Sequence, residues 1–208
     1  MLALCLVASA LLATLYLGRF LTPPETALRS AIKTGAIAAL AVGAWAVGGP
    51  TALILGLALG AVGDFFLSRP GDQAFLAGVA AFAASHIAYI WLLAENGGRP
   101  EPSFALLVLT ILAIGMATLL WRHAGALRWA VSAYIAIITA MGILAVSLPL
   151  SLAWPALAFI ASDTVLALEK FVLTQSTRSM VWTSRFIWIS YWVAQAGFLG
   201  MFAIVAGA

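Results

Sequence analysis

The sequence predicts an all-α polytopic membrane protein, a bundle of eight transmembrane helices. Three observations predict it. Of the 208 residues, 64% are hydrophobic and only 8% are charged, whereas an ordinary soluble domain is about 45–50% apolar and about 25% charged. Mean hydropathy is +1.11. The apolar residues fall into eight runs close to the ~20 residues a spanning helix needs, and no strand-like alternation persists that would read as a β-barrel. Seven acids and ten bases cannot clothe a water-facing surface of this size, which excludes a soluble globular enzyme. Disorder requires low hydrophobicity. A disulfide scaffold requires more than Cys5, the only cysteine. One integral membrane domain over residues 1–208 is expected to use the whole chain.

The runs follow in order, separated by Pro, Gly and charge. Leu2–Gly18 lacks the basic start of a cleaved signal peptide and is followed by Arg19, so it reads as a retained helix. Pro23-Pro24 precedes Arg29–Val47, and Gly48-Gly49-Pro50, the shortest connection, leads into Pro50–Leu67. Arg69-Pro70-Gly71 introduces Asp72–Ala94, and Gly97-Gly98-Arg99-Pro100 introduces Phe104–Trp121. Leu127–Leu148 ends at Pro149, Trp154–Val172 opens beside Pro155, and Val181–Val205 is the eighth run.

The basic residues test this count. Connections after the odd-numbered helices hold or border Arg19, Arg29, Arg69, Arg122, Arg128, Lys170, Arg178 and Arg185, with Lys33 one turn further in. Those after the even-numbered helices hold only Arg99. A wrong count would scramble that alternation. The basic side is expected to be cytoplasmic, with both termini outside, in the inner membrane for a bacterial-style chain. A net charge of +3 and a pI near 9.4 therefore reflect topology, and no nucleic-acid partner is expected.

An ionisable group near the bilayer centre costs about 2.5–3.5 kcal/mol on insertion scales and generally faces a bundle interior or a wet cavity. Glu25, Asp72, Glu95 and Glu101 fall in or beside loops, and Glu169 near a helix end. Asp64 and Asp163 have no such topological excuse. Asp64 ends the run Gly56-x-x-x-Gly60-x-x-Gly63-Asp64, a spacing that admits close approach of a second helix. Asp163 lies mid-helix and should be buried, with a partner or a proton of its own. Lys170, two turns on along the same face, is one such partner. Phe75, Gly78, Phe82, His86 and Tyr89 form a one-sided stripe, in which His86 and Tyr89 are placed to share a hydrogen-bond network. Ser184, Trp188, Tyr191 and Gln195 form a second polar face. Helix-to-helix hydrogen bonding explains these stripes as well as ligand binding does. Trp121, Trp154 and Trp182, near span ends, read as interface anchors. No P-loop, H-E-x-x-H, G-x-S-x-G elbow or Cys/His cluster is present, and two histidines cannot build a three-histidine zinc site.

These polar residues carry a family resemblance. Gly63-Asp64-Phe65-Phe66-Leu67, the stripe Phe75-x-x-Gly78-x-x-x-Phe82-x-x-x-His86-x-x-Tyr89, Ser162-Asp163 followed by Lys170-Phe171, and Tyr191-x-x-Ala194-Gln195 together resemble the YhhN-like family of membrane proteins, which includes the transmembrane lysoplasmalogenases. Lys33 looks like the family's early lysine, although Thr34 stands where a proline usually follows. The resemblance implies an eight-helix fold and hydrolysis of the vinyl ether bond of lysoplasmalogens, giving a fatty aldehyde and glycerophosphoethanolamine or glycerophosphocholine. It maps the family's two aspartates onto Asp64 and Asp163.

The implied chemistry protonates the β-carbon of the vinyl ether and adds water to the resulting oxocarbenium ion. It calls for one carboxyl that holds its proton and one carboxylate, a division that paired acids adopt in a low-dielectric site. Depth along the helices favours Asp163 as the acid and Asp64 as the base. His86, Tyr89, Tyr191 and Gln195 would position water or glycerol hydroxyls, and Lys33, Lys170 or Arg185 the phosphate. The scheme requires no metal and no cofactor. The partners are a lysophospholipid substrate and membrane lipids. Two alternatives stand beside it: a lipid or small-molecule transporter with proton-coupling aspartates, and a different intramembrane lipid hydrolase.

Overall fold

The computed structural model describes residues 1–21, 26–173 and 177–205. Pro23, Pro24 and Glu25 lie outside the described residues, as does the side chain of Arg178. Among the described residues every regular element is helical. The helices are α1 (Leu2–Leu15), α2 (Ala27–Ala46), α3 (Thr51–Leu67), α4 (Asp72–Glu95), α5 (Phe104–His123), α6 (Arg128–Ala145), α7 (Leu150–Phe171) and α8 (Thr177–Leu199). α1 continues as a π-helical turn over Tyr16–Phe20, and α8 does so over Gly200–Val205. Seven of these helical stretches are long and apolar enough to cross a membrane. α3, at 17 residues, sits at the lower limit of a span. The protein is an integral membrane helical bundle, as its composition predicts.

Two helix starts differ from expectation by about a turn: α8 begins at Thr177 rather than Val181, and α7 begins before Trp154. α7 starts at Leu150, directly after Pro149, and Pro155 lies inside it. A proline here costs the bond to the carbonyl of Ser151. Ser151 is exposed at the end of the helix, so only one hydrogen bond near a terminus is lost and the helix continues.

Sequential helices pack as neighbours: α1 on α2, α2 on α3, α3 on α4, α5 on α6, and α7 on α8. α4 also packs on α6, and α8 closes back onto α2 and α3. Polar groups clamp these contacts, because an unsatisfied group has no water to turn to in lipid. Ser9 donates to the carbonyl of Ala36 at 2.6 Å and accepts from the Trp192 indole at 2.9 Å. Ser85 donates to the carbonyl of Gly56 at 2.7 Å. Ser68 and Ser30 bond at 2.7 Å.

α5 is the exception to this tight packing. Leu120 is its one buried residue, and Ile111 and Ile114 are about 60% exposed. A helix apolar all round with little protein contact is a lipid-facing helix. Its loose seat leaves space between α4, α5, α6 and α7. Trp121 and Trp182 are exposed at span ends, whereas Trp154 instead lays its ring over Gly197 of α8.

Candidate active site

The glycine run on α3 builds the first half of the site. A Cβ on Gly56 would strike the ring of Tyr89, one on Gly60 the amide of Gln195, and one on Gly63 the ring of Phe82, at 2.6 Å. Three bare positions therefore form the groove into which α4 presses Tyr89 and Phe82, and α8 presses Gln195. This is close approach of the kind such a spacing permits.

Within that groove runs a continuous polar chain. Lys33 Nζ of α2 lies 2.9 Å from Asp64 Oδ1. Tyr191 donates its hydroxyl to Asp64 Oδ2 at 2.7 Å. Gln195 Nε2 donates to the Tyr191 hydroxyl oxygen at 3.3 Å, and the Tyr89 hydroxyl donates to Gln195 Oε1. Every donor points toward the carboxylate, so each bond polarises the next. The side chain of Asp64 is 1% exposed and that of Lys33 17%. Lys33 is thus engaged with Asp64 inside the bundle.

The second half gathers around Asp163, on α7. Tyr134 of α6 donates its hydroxyl to Asp163 Oδ2. His86 Nε2 of α4 lies 3.9 Å from the same oxygen. His86 Nδ1 stands 2.5 Å from the carbonyl of Phe82. A carbonyl only accepts, so Nδ1 carries the hydrogen, and in the neutral ring Nε2 is left as an acceptor. That nitrogen is buried and makes no hydrogen bond. It is an acceptor without a donor, directed at a carboxyl, with a gap too long for a direct bond.

Three expectations need correction here. Asp163 is not fully buried: its side chain is 13% exposed and forms part of a cavity wall. Its partner is Tyr134, and Lys170 lies instead over the Phe75 ring at 4.9 Å. Tyr89 and His86 do not share a network, since Tyr89 bonds to Gln195 and His86 to the backbone. Tyr134 was missed as a site residue because α6 carries no second polar group at helical spacing to flag it. Its only sequence signal is a hydroxyl within an apolar span that also holds Ser132 and Thr139. Arg185 is exposed and lies over Trp182, at 5.4 Å.

The two halves meet at two phenylalanine rings. Tyr191 packs edge-on against Phe82 at 5.6 Å and against Phe159 at 5.3 Å, and Phe159 packs against His86 at 4.5 Å. On the Asp163 side, a cavity of about 900 Å³, its open mouth included, runs between α4, α5, α6 and α7. Leucine, isoleucine and phenylalanine dominate its walls, and Tyr134, Asp163 and Lys170 bring polar groups to it. Asp64 does not line it. Among the described residues, no three His, Cys, Asp or Glu side chains come together as a metal-binding group.

An apolar chamber with a carboxyl on its wall, a tyrosine hydroxyl bonded to that carboxyl and a buried imidazole behind it suits acid–base chemistry on a lipid. Known proteins bear on the same point. Lysoplasmalogenase TMEM86B of Sus scrofa is 39% identical over 126 residues, covering 60% of this chain and 54% of that protein. Lysoplasmalogenase TMEM86B of Homo sapiens is 38% identical over 127 residues, with the same coverage. The chain therefore matches about half the length of these curated relatives. No solved structure matches. Residues 28–201 match the sequence model of the YhhN family, a stretch that holds both aspartates, the glycine groove and the cavity walls, and the chain belongs to that family.

Proposed function

We propose that this protein is an intramembrane hydrolase that cleaves the vinyl ether bond of lysoplasmalogens, with Asp163 as the proton donor. The observation that carries the reading is the position of Asp163: a carboxyl on the wall of an apolar cavity, bonded to Tyr134 and facing the acceptor nitrogen of His86.

In this scheme the alkenyl chain lies along the cavity. Asp163 transfers its proton to the β-carbon of R–CH=CH–O–R′, and the resulting carboxylate faces the oxocarbenium ion. Water adds to the cationic carbon and gives up a proton to the carboxylate, directly or by way of His86 Nε2, which restores the acid. The hemiacetal collapses to R–CH₂–CHO and HO–R′, so the net change is addition of one water. Tyr134 holds the carboxyl in register by its hydrogen bond. Asp64 acts from inside the bundle: paired with Lys33, it anchors Tyr191, and Tyr191 backs the phenylalanine rings behind His86. This makes Asp64 a positioning residue and Asp163 the acid. Both termini lie outside and the basic end of the bundle faces the cytoplasm, by the distribution of arginine and lysine.

The test uses the purified full chain in detergent with a 1-alkenyl lysophosphatidylethanolamine, following aldehyde release. Aldehyde and glycerophosphoethanolamine should appear in equal amounts, and the 1-alkyl analogue, which has no carbon to protonate, should be inert. Transfer of the intact lipid across proteoliposomes with no aldehyde formed would overturn the reading in favour of a transporter.

A further inference from the structure

The cavity does not end in apolar residues. Leu67, Phe75 and Lys170 line it and also line a second pocket, whose other walls are Arg69, Pro70, Gly71 and Asp72. This pocket sits where α3 turns into α4. Gly71 makes the turn at φ +96°, in the left-handed region that favours glycine, which brings Arg69 and Asp72 to the same rim. Lys170 reaches that rim from the end of α7. Arg69 lies over Phe65, at 4.6 Å, and Lys170 over Phe75, at 4.9 Å. Among the described residues, no carboxylate lies within ion-pair distance of either cation. An apolar chamber that shares Leu67, Phe75 and Lys170 with a pocket carrying two cations and one carboxylate matches a single-chain lipid with a zwitterionic head.

The spacing agrees with that match. Lys170 follows Asp163 by seven residues, about two turns and roughly 10 Å along one face of α7. In a lysoplasmalogen, five bonds separate the ether oxygen from phosphorus. At about 3.5 Å per three extended bonds that is roughly 6 Å, and the contact between ammonium and phosphate oxygen adds about 3 Å. A phosphate held by Lys170 therefore leaves the ether oxygen at the level of Asp163.

We infer that the pocket of Arg69, Lys170 and Asp72 is the head-group subsite: the two cations bind the phosphate, and Asp72 takes the ammonium of ethanolamine. The inference rests on the lysoplasmalogen reading for its ligand class and adds the residues that select a phospholipid over a neutral ether lipid. Phosphate is the shared chemistry of a lipid head and a free anion. The apolar cavity beside the pocket commits the site to the lipid.

The experiment measures binding rather than turnover. Full-length protein in detergent is titrated with 1-O-hexadecyl-glycerophosphoethanolamine, 1-O-hexadecyl-glycerophosphate and 1-O-hexadecylglycerol, none of which is cleaved. The wild type should bind the phosphoethanolamine lipid at least tenfold more tightly than the neutral lipid. The double variant Arg69→Gln, Lys170→Gln should bind the two equally, with an unchanged unfolding midpoint. Asp72→Asn should weaken the phosphoethanolamine lipid several-fold and leave the phosphate lipid as it was. A double variant that keeps the tenfold preference overturns the inference. So does full competition by inorganic phosphate or by chain-free glycerophosphoethanolamine at equal concentration, which would make the pocket a free-anion site. An unchanged Asp72→Asn removes the ammonium contact. If these results appear and no vinyl ether is cleaved, the head-group site stands and the hydrolase reading falls.

Discussion

Asp64 and Asp163 are both carboxyl groups within apolar helices, and the bundle treats them in opposite ways. Asp64 is enclosed by Lys33 and Tyr191 and does not line the cavity that Asp163 borders. Asp163 keeps a single hydroxyl partner and borders open space. The first arrangement has the features of a structural ion pair, in which the opposite charge and the hydrogen bonds offset desolvation. The second has the features of a reactive group, with lone pairs and space left over. Two aspartates that look alike as buried acids thus separate into a brace and a working acid once their neighbours are known.

Five substitutions break or sharpen this contrast. The largest expected effect is on activity at the cavity. Asp163→Asn should lower aldehyde release by about 10²- to 10⁴-fold, the usual contribution of a general acid, while the unfolding midpoint in detergent barely moves. Near-normal turnover would remove Asp163 from the chemistry. Next comes stability at the brace. Lys33→Met or Asp64→Asn alone leaves a buried group without its partner and should destabilise the fold by about 3–5 kcal/mol. The double variant should recover much of that loss in a thermal double-mutant cycle. A single change that leaves stability intact and abolishes turnover would make Asp64 a catalytic group after all. Gly56→Ala drives a methyl into Tyr89 and should cost about 1–3 kcal/mol by overpacking, read as a lower unfolding midpoint. The smallest effect belongs to Tyr134→Phe, which removes one hydrogen bond from Asp163. At about 1 kcal/mol for such a bond, turnover should fall several-fold with the fold unchanged. No change would mean that Tyr134 does not hold the acid in place.

Much of this was legible in the residues. The helix count follows from hydropathy and from the one-sided placement of arginine and lysine, both additive along the chain. Asp64 and Asp163 stand out because charge in lipid is expensive wherever it occurs. The glycine spacing announces a close contact without saying what fills it. Tyr134 was not legible as a site residue, because a hydroxyl in an apolar span has no distinguishing pattern. Pro155 misled as a helix border, because near a helix end the loss of one backbone bond is small.

The amino-acid sequence by itself determined the solvent this protein folds in, the order of its helices and the short list of costly polar groups. Tertiary structure alone decided which of those groups meet. Lys33 finds Asp64, Tyr134 finds Asp163, and Arg69 stands beside Lys170, across separations that no local period encodes. The physical reason is that insertion energy is a property of each residue and its depth. Pairing depends on how every helix is rotated about its axis and seated against its neighbours, which is settled only when the whole bundle packs.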